Sequence, residues 1–442
     1  MVRWIAPLGL SMALLPGWVI GGPVEQSARP ENRPGPRAET RFASPQPVAR
    51  PAHVLAKPVP AASTPPRSAL NENFRQWVAG FRPRALRAGI SAATFDRAFR
   101  SARYLPKVIA RDRNQAEFTR AIWDYLDSAV SDARIANGRQ ALADHARTLD
   151  RIEARFGVPR EIVVAIWGME SAYGARRGDT PLISALATLA DDGRRGAFFE
   201  EQLIAALKIV QAGDIAPEQM TGSWAGAMGH TQFIPTSYLA YAADFHGDGR
   251  RDIWSDDPAD ALASTANYLA KSGWTPGQRW GVEVILPAGF NHALTGKGNR
   301  RPVSDWARIG VRATAGGRLP DDGPAAILTP AGARGPALMI FDNFRVISRY
   351  NSADSYVIGV GHLADRLRGG GPFRAPWPRG DSALNPDQRR ELQSRLTRAG
   401  FDTRGVDGRI GPNTIDAIRA WQRANGRIPD GYASMDLLRN LR

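Results

Sequence analysis

The chain has 442 residues, which allows more than one domain, and 43% of them are hydrophobic, which is enough for a sizeable core. It contains no cysteine, which excludes disulfides, thiolate metal sites, a cysteine nucleophile and a lipid attached through an N-terminal cysteine. The net charge of +15 favours polyanionic partners: nucleic acid, an anionic envelope surface or an acidic cell-wall polymer. A solvated basic surface is the plainer alternative.

The first 68 residues have the composition of a secretory signal followed by a linker. Over residues 1–22, Arg3 supplies a short basic region, and the apolar stretch after it is too broken by prolines to suit a transmembrane helix. We expect cleavage near residues 21–28, with an uncleaved anchor as the alternative. Residues 23–66 hold 11 prolines, which predicts a disordered linker over residues 23–68.

The body of the chain is mainly helical in pattern. Apolar residues at helix spacing predict helices between residues 69 and 150, from Pro181, over residues 198–210 and over residues 351–367. Residues 280–345 differ, because short apolar runs there are punctuated by proline and glycine, which predicts a small β lobe.

The helix predicted over residues 157–171 organises the body. Pro159 suits a first helical position, and the residues after it are apolar on nearly every face, so we expect this helix to be buried. Glu170 lies at its end. Burial raises the pKa of a carboxyl group, as a general acid requires. A structural salt bridge to Arg176 or Arg177 is the alternative.

A glycine-rich stretch over residues 222–237 carries the polar residues Ser223, His230 and Gln232. Glycine lets the backbone approach a ligand closely, and serine and glutamine can bond sugar hydroxyls and amides. A glycine-rich structural turn is the alternative interpretation.

The C-terminal part reads as a linker over residues 371–381 and a small module over residues 382–442. Helices in the module are predicted from Pro386 and from Pro412, and Ser434 is placed to cap a third. We expect the module to act through a tether.

One acidic stretch, beginning at Asp244, has nearly the spacing of a calcium loop. Position 3 is His246 and position 12 is Ser255, neither of which suits calcium. An Asx-rich turn held by its own side chains is therefore the favoured interpretation, with calcium as the alternative. The candidate ligands are Asp244, Asp248, Arg250, Asp252 and Asp260.

Several separated motifs resemble the lytic murein transglycosylase B family between about residues 70 and 368. The motifs are Gly168-Met169-Glu170-Ser171 with Gly174, the stretch from Gly222 to Phe233, Asp248 to Trp254, Ala266 to Leu269, and Asn343 to Asn351. The tail, with Gly405 to Thr414, Trp421-Gln422 and Pro429 to Gly431, resembles the peptidoglycan-binding domain 1 module.

The resemblance implies a mainly α fold: a lysozyme-like helical core with an extra helical lobe and a small β lobe over residues 69–370, and a separate three-helix module. It also implies cleavage of the β-1,4 bond between N-acetylmuramic acid and N-acetylglucosamine in peptidoglycan. Such cleavage leaves a 1,6-anhydro end and serves cell-wall remodelling or turnover.

The resemblance implies site residues as well. Glu170 matches the single catalytic acid/base. The positions that match substrate-contacting residues are Ser223, Gln232, Tyr125, Arg194, Arg195, Tyr268, Tyr350, Asn351 and Tyr356. No cofactor is implied beyond a structural calcium ion.

The implied setting is a soluble periplasmic monomer, because lipid-anchored members have an N-terminal cysteine that this chain lacks. The implied partners are peptidoglycan strands and proteins of cell-wall synthesis or division, not nucleic acid. Two other functions stay open: a hydrolytic muramidase with the same acid, and a non-catalytic peptidoglycan-binding scaffold.

Overall fold

The computed structural model describes residues 67–114 and 120–441. The expected signal over residues 1–22, and all but the last two residues of the expected linker over residues 23–68, lie outside the described residues. Within the described part of the chain, no helix is long and apolar enough to span a membrane.

The first half of the described chain is helical. Its helices are α1 (Arg67–Arg87), α2 (Ala92–Phe99), α3 (Pro106–Arg113), α4 (Ile122–Ala129), α5 (Asp132–Asp144), α6 (Ala146–Phe156), α7 (Arg160–Ser171), α8 (Leu182–Asp192) and α9 (Gly196–Ala212). A two-stranded pair, β1 (Thr180–Pro181) and β2 (Thr221–Gly222), joins the start of α8 to the glycine-rich stretch.

The second half adds further helices and a sheet. The helices are α10 (Pro235–Tyr241), α11 (Ala259–Lys271), α12 (Val303–Ile309), α13 (Asp342–Tyr350), α14 (Asp354–Leu367), α15 (Pro386–Arg398), α16 (Pro412–Ala424) and α17 (Met435–Asn440). The strands are β3 (Gly281–Ile285), β4 (Arg312–Ala313), β5 (Ala326–Leu328), β6 (Pro330–Ala333) and β7 (Ala337–Ile340).

The predicted β lobe is confirmed as a small antiparallel sheet of strand order β4-β3-β7-β5. Gly281 pairs with Ile340 and Ala326 also pairs with Ile340, so β7 lies in the middle. The lobe has its own core, in which Trp306 and Met339 are fully buried.

Two larger cores divide the helical body. One is built around α7, which packs against α5, α6, α11 and α14. The other lies in the helical lobe formed by α1, α2, α8, α9 and α10. The mainly helical fold with a small β lobe and a C-terminal module therefore agrees with the prediction.

Two predicted helix boundaries are wrong. Pro159 is the N-cap of α7 in a non-helical conformation, and the helix begins at Arg160. The helix predicted over residues 351–367 begins only at Asp354, because Asn351 is extended and ends α13. The side chain of Asn351 accepts a 3.1 Å hydrogen bond from the backbone N–H of Ala353, which holds the turn between the two helices.

The segment over residues 371–381 packs against the body and does not extend as a loose tether. The carboxylate of Glu283 accepts hydrogen bonds of 2.8 Å from the backbone N–H groups of both Arg374 and Ala375. The ring of Trp377 packs 6.4 Å from that of Trp123, measured between centroids. These contacts join positions far apart in the sequence. The sequence therefore predicts a linker here and gives no sign of its packing.

The C-terminal module, whose three predicted helices are α15, α16 and α17, is also docked on the β lobe. A carboxylate oxygen of Asp430 accepts a 2.8 Å hydrogen bond from the backbone N–H of Ala333. Arg419 donates a 2.9 Å hydrogen bond to the backbone carbonyl of His292. A groove of about 640 Å³ runs between the module and the β lobe.

Candidate active site

The end of α7 is built to present Glu170. Residues from Ile162 to Gly168 are buried, so the helix is fixed by its core contacts. It then stops abruptly, because Ala172 and Tyr173 adopt left-handed φ values of 51° and 60°. Each such non-glycine residue costs on the order of 1–3 kcal/mol and persists only where the surroundings hold it.

Tyr173 holds this strained turn through two contacts. Its hydroxyl donates a 2.8 Å hydrogen bond to the backbone carbonyl of Arg134 on α5. Its ring lies over Gly168, where an added Cβ would stand 2.5 Å from the ring carbon Cζ. Gly168 is therefore required for the turn that carries Glu170.

Glu170 is poised as a proton donor. The hydroxyl of Tyr356 donates a 2.6 Å hydrogen bond to its Oε1. The other oxygen, Oε2, is buried and has no hydrogen-bond partner among the described residues. Although the residue as a whole is only partly buried, burial of its carboxyl group raises its pKa to about 8, against a smaller lowering by Tyr356.

The alternative of a structural salt bridge does not hold for Glu170. Arg177 instead donates a 2.7 Å hydrogen bond to Asp256 and further bonds to backbone carbonyls. Among the described residues, no arginine or lysine forms an ion pair with Glu170. The geometry therefore favours the general-acid interpretation.

Tyrosines surround the acid. Burial, followed by the charge of Glu170, raises the pKa of Tyr125, Tyr350 and Tyr356. The hydroxyl of Tyr350 is held by the backbone carbonyl of Thr231. The structure thus brings together three of the tyrosines that the sequence predicted for the site.

Tyr268 lies one step further from the acid. Its ring packs edge-on against that of Tyr350, with centroids 5.1 Å apart. Its hydroxyl donates a 2.6 Å hydrogen bond to the backbone carbonyl of Arg349. Tyr268 therefore extends the aromatic wall beyond Tyr350.

The glycine-rich stretch is held by close packing of protein backbone. A Cβ added to Gly222 would lie 2.2 Å from the carbonyl oxygen of Ala227, and one added to Gly229 would lie 2.2 Å from that of Ile253. These glycines are needed by the fold itself. This packing supports the alternative of a structural turn, and approach of this backbone to a ligand stays a prediction.

The polar side chains of this stretch also serve the turn. Ser223 Oγ accepts a 3.0 Å hydrogen bond from the backbone N–H of Ala227. Gln232 Nε2 donates to the backbone carbonyls of Gly229 and Arg177, at 2.8 and 3.0 Å. Their predicted contacts with substrate stay a prediction.

His230 ties this stretch to the acid helix. Trp167 Nε1 donates a 3.1 Å hydrogen bond to His230 Nδ1, and Ser171 Oγ donates a 2.5 Å bond to the backbone carbonyl of His230. His230 Nε2 lies 2.7 Å from the backbone carbonyl of Ser255, to which a neutral ring donates. Burial lowers the pKa of His230, in agreement with that neutral form.

Arg194 and Arg195 do not join this cluster by any contact in the described residues. Both donate hydrogen bonds of 2.7 Å to the carboxylate of Asp112, which is nearly fully buried on α3. They fasten α3 to the turn between α8 and α9. The buried carboxylate of Asp112 needs these partners, and contact of Arg194 and Arg195 with substrate stays a prediction.

The acidic stretch is a network of side-chain-to-backbone hydrogen bonds. The carboxylate of Asp244 accepts from the backbone N–H groups of residues 247–249, and that of Asp260 from residues 245 and 252. Asp248 and Asp252 bond backbone N–H groups two or three residues further on. This is the pattern of an Asx-rich turn.

These donors do not fit a calcium ion as they are arranged. Among the described residues, no three His, Asp or Glu side chains converge where they could hold a metal ion. The favoured interpretation, an Asx-rich turn, therefore agrees with the structure, and the alternative of a calcium loop with Asp244, Asp248, Arg250, Asp252 and Asp260 as ligands does not fit this arrangement.

Arg134 is the residue near the acid that sequence reasoning missed. Its guanidinium donates a hydrogen bond to the backbone carbonyl of Gly168, two residues before Glu170. Burial lowers the pKa of Arg134. No sequence signal marks it, since it is one of 58 lysines and arginines and lies in an ordinary first turn of a helix.

Two family models match the chain. One, described as a transglycosylase SLT domain, matches residues 73–365, and the other, described as a putative peptidoglycan binding domain, matches residues 385–441. The chain belongs to the transglycosylase SLT domain family. Glu170 and its surrounding tyrosines all lie within the first match.

Among curated proteins, the chain is similar to the membrane-bound lytic murein transglycosylase B of Escherichia coli K12. The two are 33% identical over 250 residues, which is 55% of this chain and 66% of that protein. The match therefore spans just under two thirds of the length of that relative.

Among solved structures, the chain is similar to SltB3 of Pseudomonas aeruginosa in complex with NAG-anhNAM-pentapeptide. That match has 51% identity and a TM-score of 0.80, and covers 84% of this chain and 99% of SltB3. The Escherichia coli lytic transglycosylase Slt35 in complex with calcium is also similar, at 28% identity and a TM-score of 0.57, covering 70% of this chain and 98% of Slt35.

Proposed function

We propose that this chain is a lytic transglycosylase that cleaves the β-1,4 bond between N-acetylmuramic acid and N-acetylglucosamine in peptidoglycan and forms 1,6-anhydro ends. The observation that carries the proposal is Glu170, a carboxyl group with one buried, unpartnered oxygen, whose pKa burial raises to about 8. Family membership and the likeness to SltB3 in complex with an anhydro product support it.

A single carboxyl group suffices for this reaction. Protonated Glu170 donates its proton to the leaving glycosidic oxygen as the bond to C1 breaks. The resulting carboxylate takes the proton of the C6 hydroxyl of the same muramic acid residue, whose oxygen then bonds to C1. Because that hydroxyl is held on the reacting sugar, its effective concentration is high and no water molecule is added.

The surroundings of Glu170 support a mechanism with one carboxylate. Hydrolysing glycosidases use a second carboxylate that activates water or acts as nucleophile. Among the described residues, Glu170 is the carboxylate whose charge raises the pKa of Tyr125, Tyr350 and Tyr356. In the part of the chain that the structure describes, no second carboxylate raises the pKa of all three of these tyrosines.

In this proposal the tyrosines form the walls of the substrate cleft, and Ser223, Gln232 and Asn351 bond the sugar groups. The C-terminal module binds the same polymer, as its family description suggests. Peptidoglycan strands are the substrate, the periplasm is the compartment, and proteins of cell-wall synthesis or division are the candidate partners.

The test compares turnover of purified peptidoglycan by three proteins. Glu170→Gln keeps the shape and the bond from Tyr356 but removes the proton, so we expect at least a hundredfold loss of turnover. Glu161→Gln is the matched control, because Glu161 lies on the same helix but is paired with Arg160 and Arg368. Native turnover by Glu170→Gln contradicts the proposal.

A further inference from the structure

Arg134 and the turn that carries Glu170 hold each other. The Arg134 side chain, from the first turn of α5, donates to the carbonyl of Gly168 in the last turn of α7. In return, the hydroxyl of Tyr173, just past that turn, donates a 2.8 Å hydrogen bond to the backbone carbonyl of Arg134. The two contacts fix α5 to the acid helix next to the reacting group.

Stability alone does not account for this arginine. Its Nε is buried without a hydrogen-bond partner, and no carboxylate among the described residues forms an ion pair with it. A buried cation without a counter-ion is costly. Arg195 and Arg251, which are also partly buried, each have one: Arg195 pairs with Asp112 and Arg251 pairs with Asp214.

The position of the charge suggests its use. The C-terminal end of a helix carries a partial negative charge, which disfavours a carboxylate formed there and favours a cation. Glu170 lies in the last turn of α7 and becomes a carboxylate when it gives up its proton. Arg134 places a positive charge at the same helix end.

We propose that Arg134 is a positioning residue that holds the turn carrying Glu170 and offsets the negative charge that develops on Glu170 during bond cleavage. Arg134 does not touch the reacting atoms; it acts through the backbone of Gly168 and through its charge. This inference rests on the proposed function, because it needs Glu170 to ionise in the reaction.

Other charged and titratable groups face the same region and are left unchanged by the test. Tyr125 on α4 lies near both Glu170 and Arg134. The remaining groups are Tyr173 and Arg176 after α7, Tyr350 on α13 and Tyr356 on α14.

The experiment measures kcat and KM for release of anhydro products from purified peptidoglycan between pH 5 and 10. We expect Arg134→Met to lower kcat at least tenfold, to change KM less than about threefold, and to move the alkaline limb of the pH profile upwards. Arg134→Lys keeps a cation and an N–H donor, and should recover most of kcat and the native profile. Arg139→Met is the matched control: Arg139 also lies on α5 and donates to a backbone carbonyl, that of Arg366.

Three outcomes overturn the inference. One is native kcat and a native pH profile for Arg134→Met. The second is an Arg134→Lys protein as impaired as Arg134→Met with the limb in its native place, which indicates a purely structural role. The third applies if Arg134→Met does not fold, when Arg134→Lys and Tyr173→Phe decide. It is native kcat in Tyr173→Phe together with a loss of kcat in Arg134→Lys as large as that expected for Arg134→Met. Failure of the native protein itself to release anhydro products overturns the proposed function instead.

Discussion

The hydroxyl of Tyr356 donates a 2.6 Å hydrogen bond to Oε1 of Glu170, across 186 positions of sequence. Burial raises the pKa of this carboxyl group to about 8, and the bond from Tyr356 opposes that shift. Tyr356 therefore stabilises the ionised form of Glu170, against the larger effect of burial. The resemblance to the family implies only an aromatic wall at this position, and the structure adds a hydrogen-bond donor.

Replacing Tyr356 by phenylalanine should raise the pKa of Glu170 further, because the carboxylate loses its one donor among the described residues. We expect kcat to fall about tenfold and the alkaline limb of activity to move to higher pH. A pH profile of peptidoglycan turnover measures both effects. Tyr104→Phe, in the helical lobe, is the control, and an unshifted limb in Tyr356→Phe contradicts the assignment.

Glu170 should destabilise the native protein as the pH rises. The pKa of Glu170 is about 8 in the folded protein and 4.5 in the unfolded chain. The folded protein therefore loses no stability through this group below pH 4.5, and loses it progressively as the pH rises from 4.5 to 8. Glu170→Gln does not titrate, so we expect it to be more stable than the native protein by roughly 4 kcal/mol at pH 8 and equally stable at pH 4. Urea unfolding at the two pH values measures this, and an equal difference at both would contradict it.

Much of the site's framework could be predicted from local sequence. An apolar helix ending in a glutamate indicates a buried acid, and the helix α7 has that form. The Asx-rich turn follows from acids spaced two and three residues from the amides they bind. Both features depend on residues that are close in sequence.

Contacts between distant segments could not be predicted in this way. The sequence gives no reason to pair Tyr356 or Arg134 with the end of α7, and no reason to pair Arg194 and Arg195 with Asp112. Such pairs form only once several helices have packed together. For the same reason the sequence predicts a linker over residues 371–381 and gives no sign of its contacts with the body.

Calcium should have no effect on this protein, since the carboxylates of the acidic stretch are engaged by backbone N–H groups. We expect no heat on titrating chelator-treated protein with millimolar calcium, and the same Tm with chelator and with calcium. Calorimetry decides the matter directly. Heat of binding, or a Tm raised by calcium, would contradict this expectation.

Docking of the segment over residues 371–381 should contribute to stability. Trp377 packs against the buried Trp123, so Trp377→Ala should lower the free energy of unfolding by about 1–3 kcal/mol. Val406→Ala, at an exposed position of the module, should change it by less than about 0.5 kcal/mol. Urea denaturation of both variants distinguishes a docked segment from a free tether, for which Trp377→Ala would have no effect.

The central claim is that Glu170 cleaves peptidoglycan without adding water, and the mass of the soluble products tests it most directly. Purified peptidoglycan is digested with the native protein and with Glu170→Gln, and the products are analysed by mass spectrometry. We predict fragments one water lighter than hydrolysis products from the native protein and none from the variant. Fragments of full hydrolytic mass would contradict the claim and make the protein a muramidase, whereas no fragments from either would favour a binding scaffold.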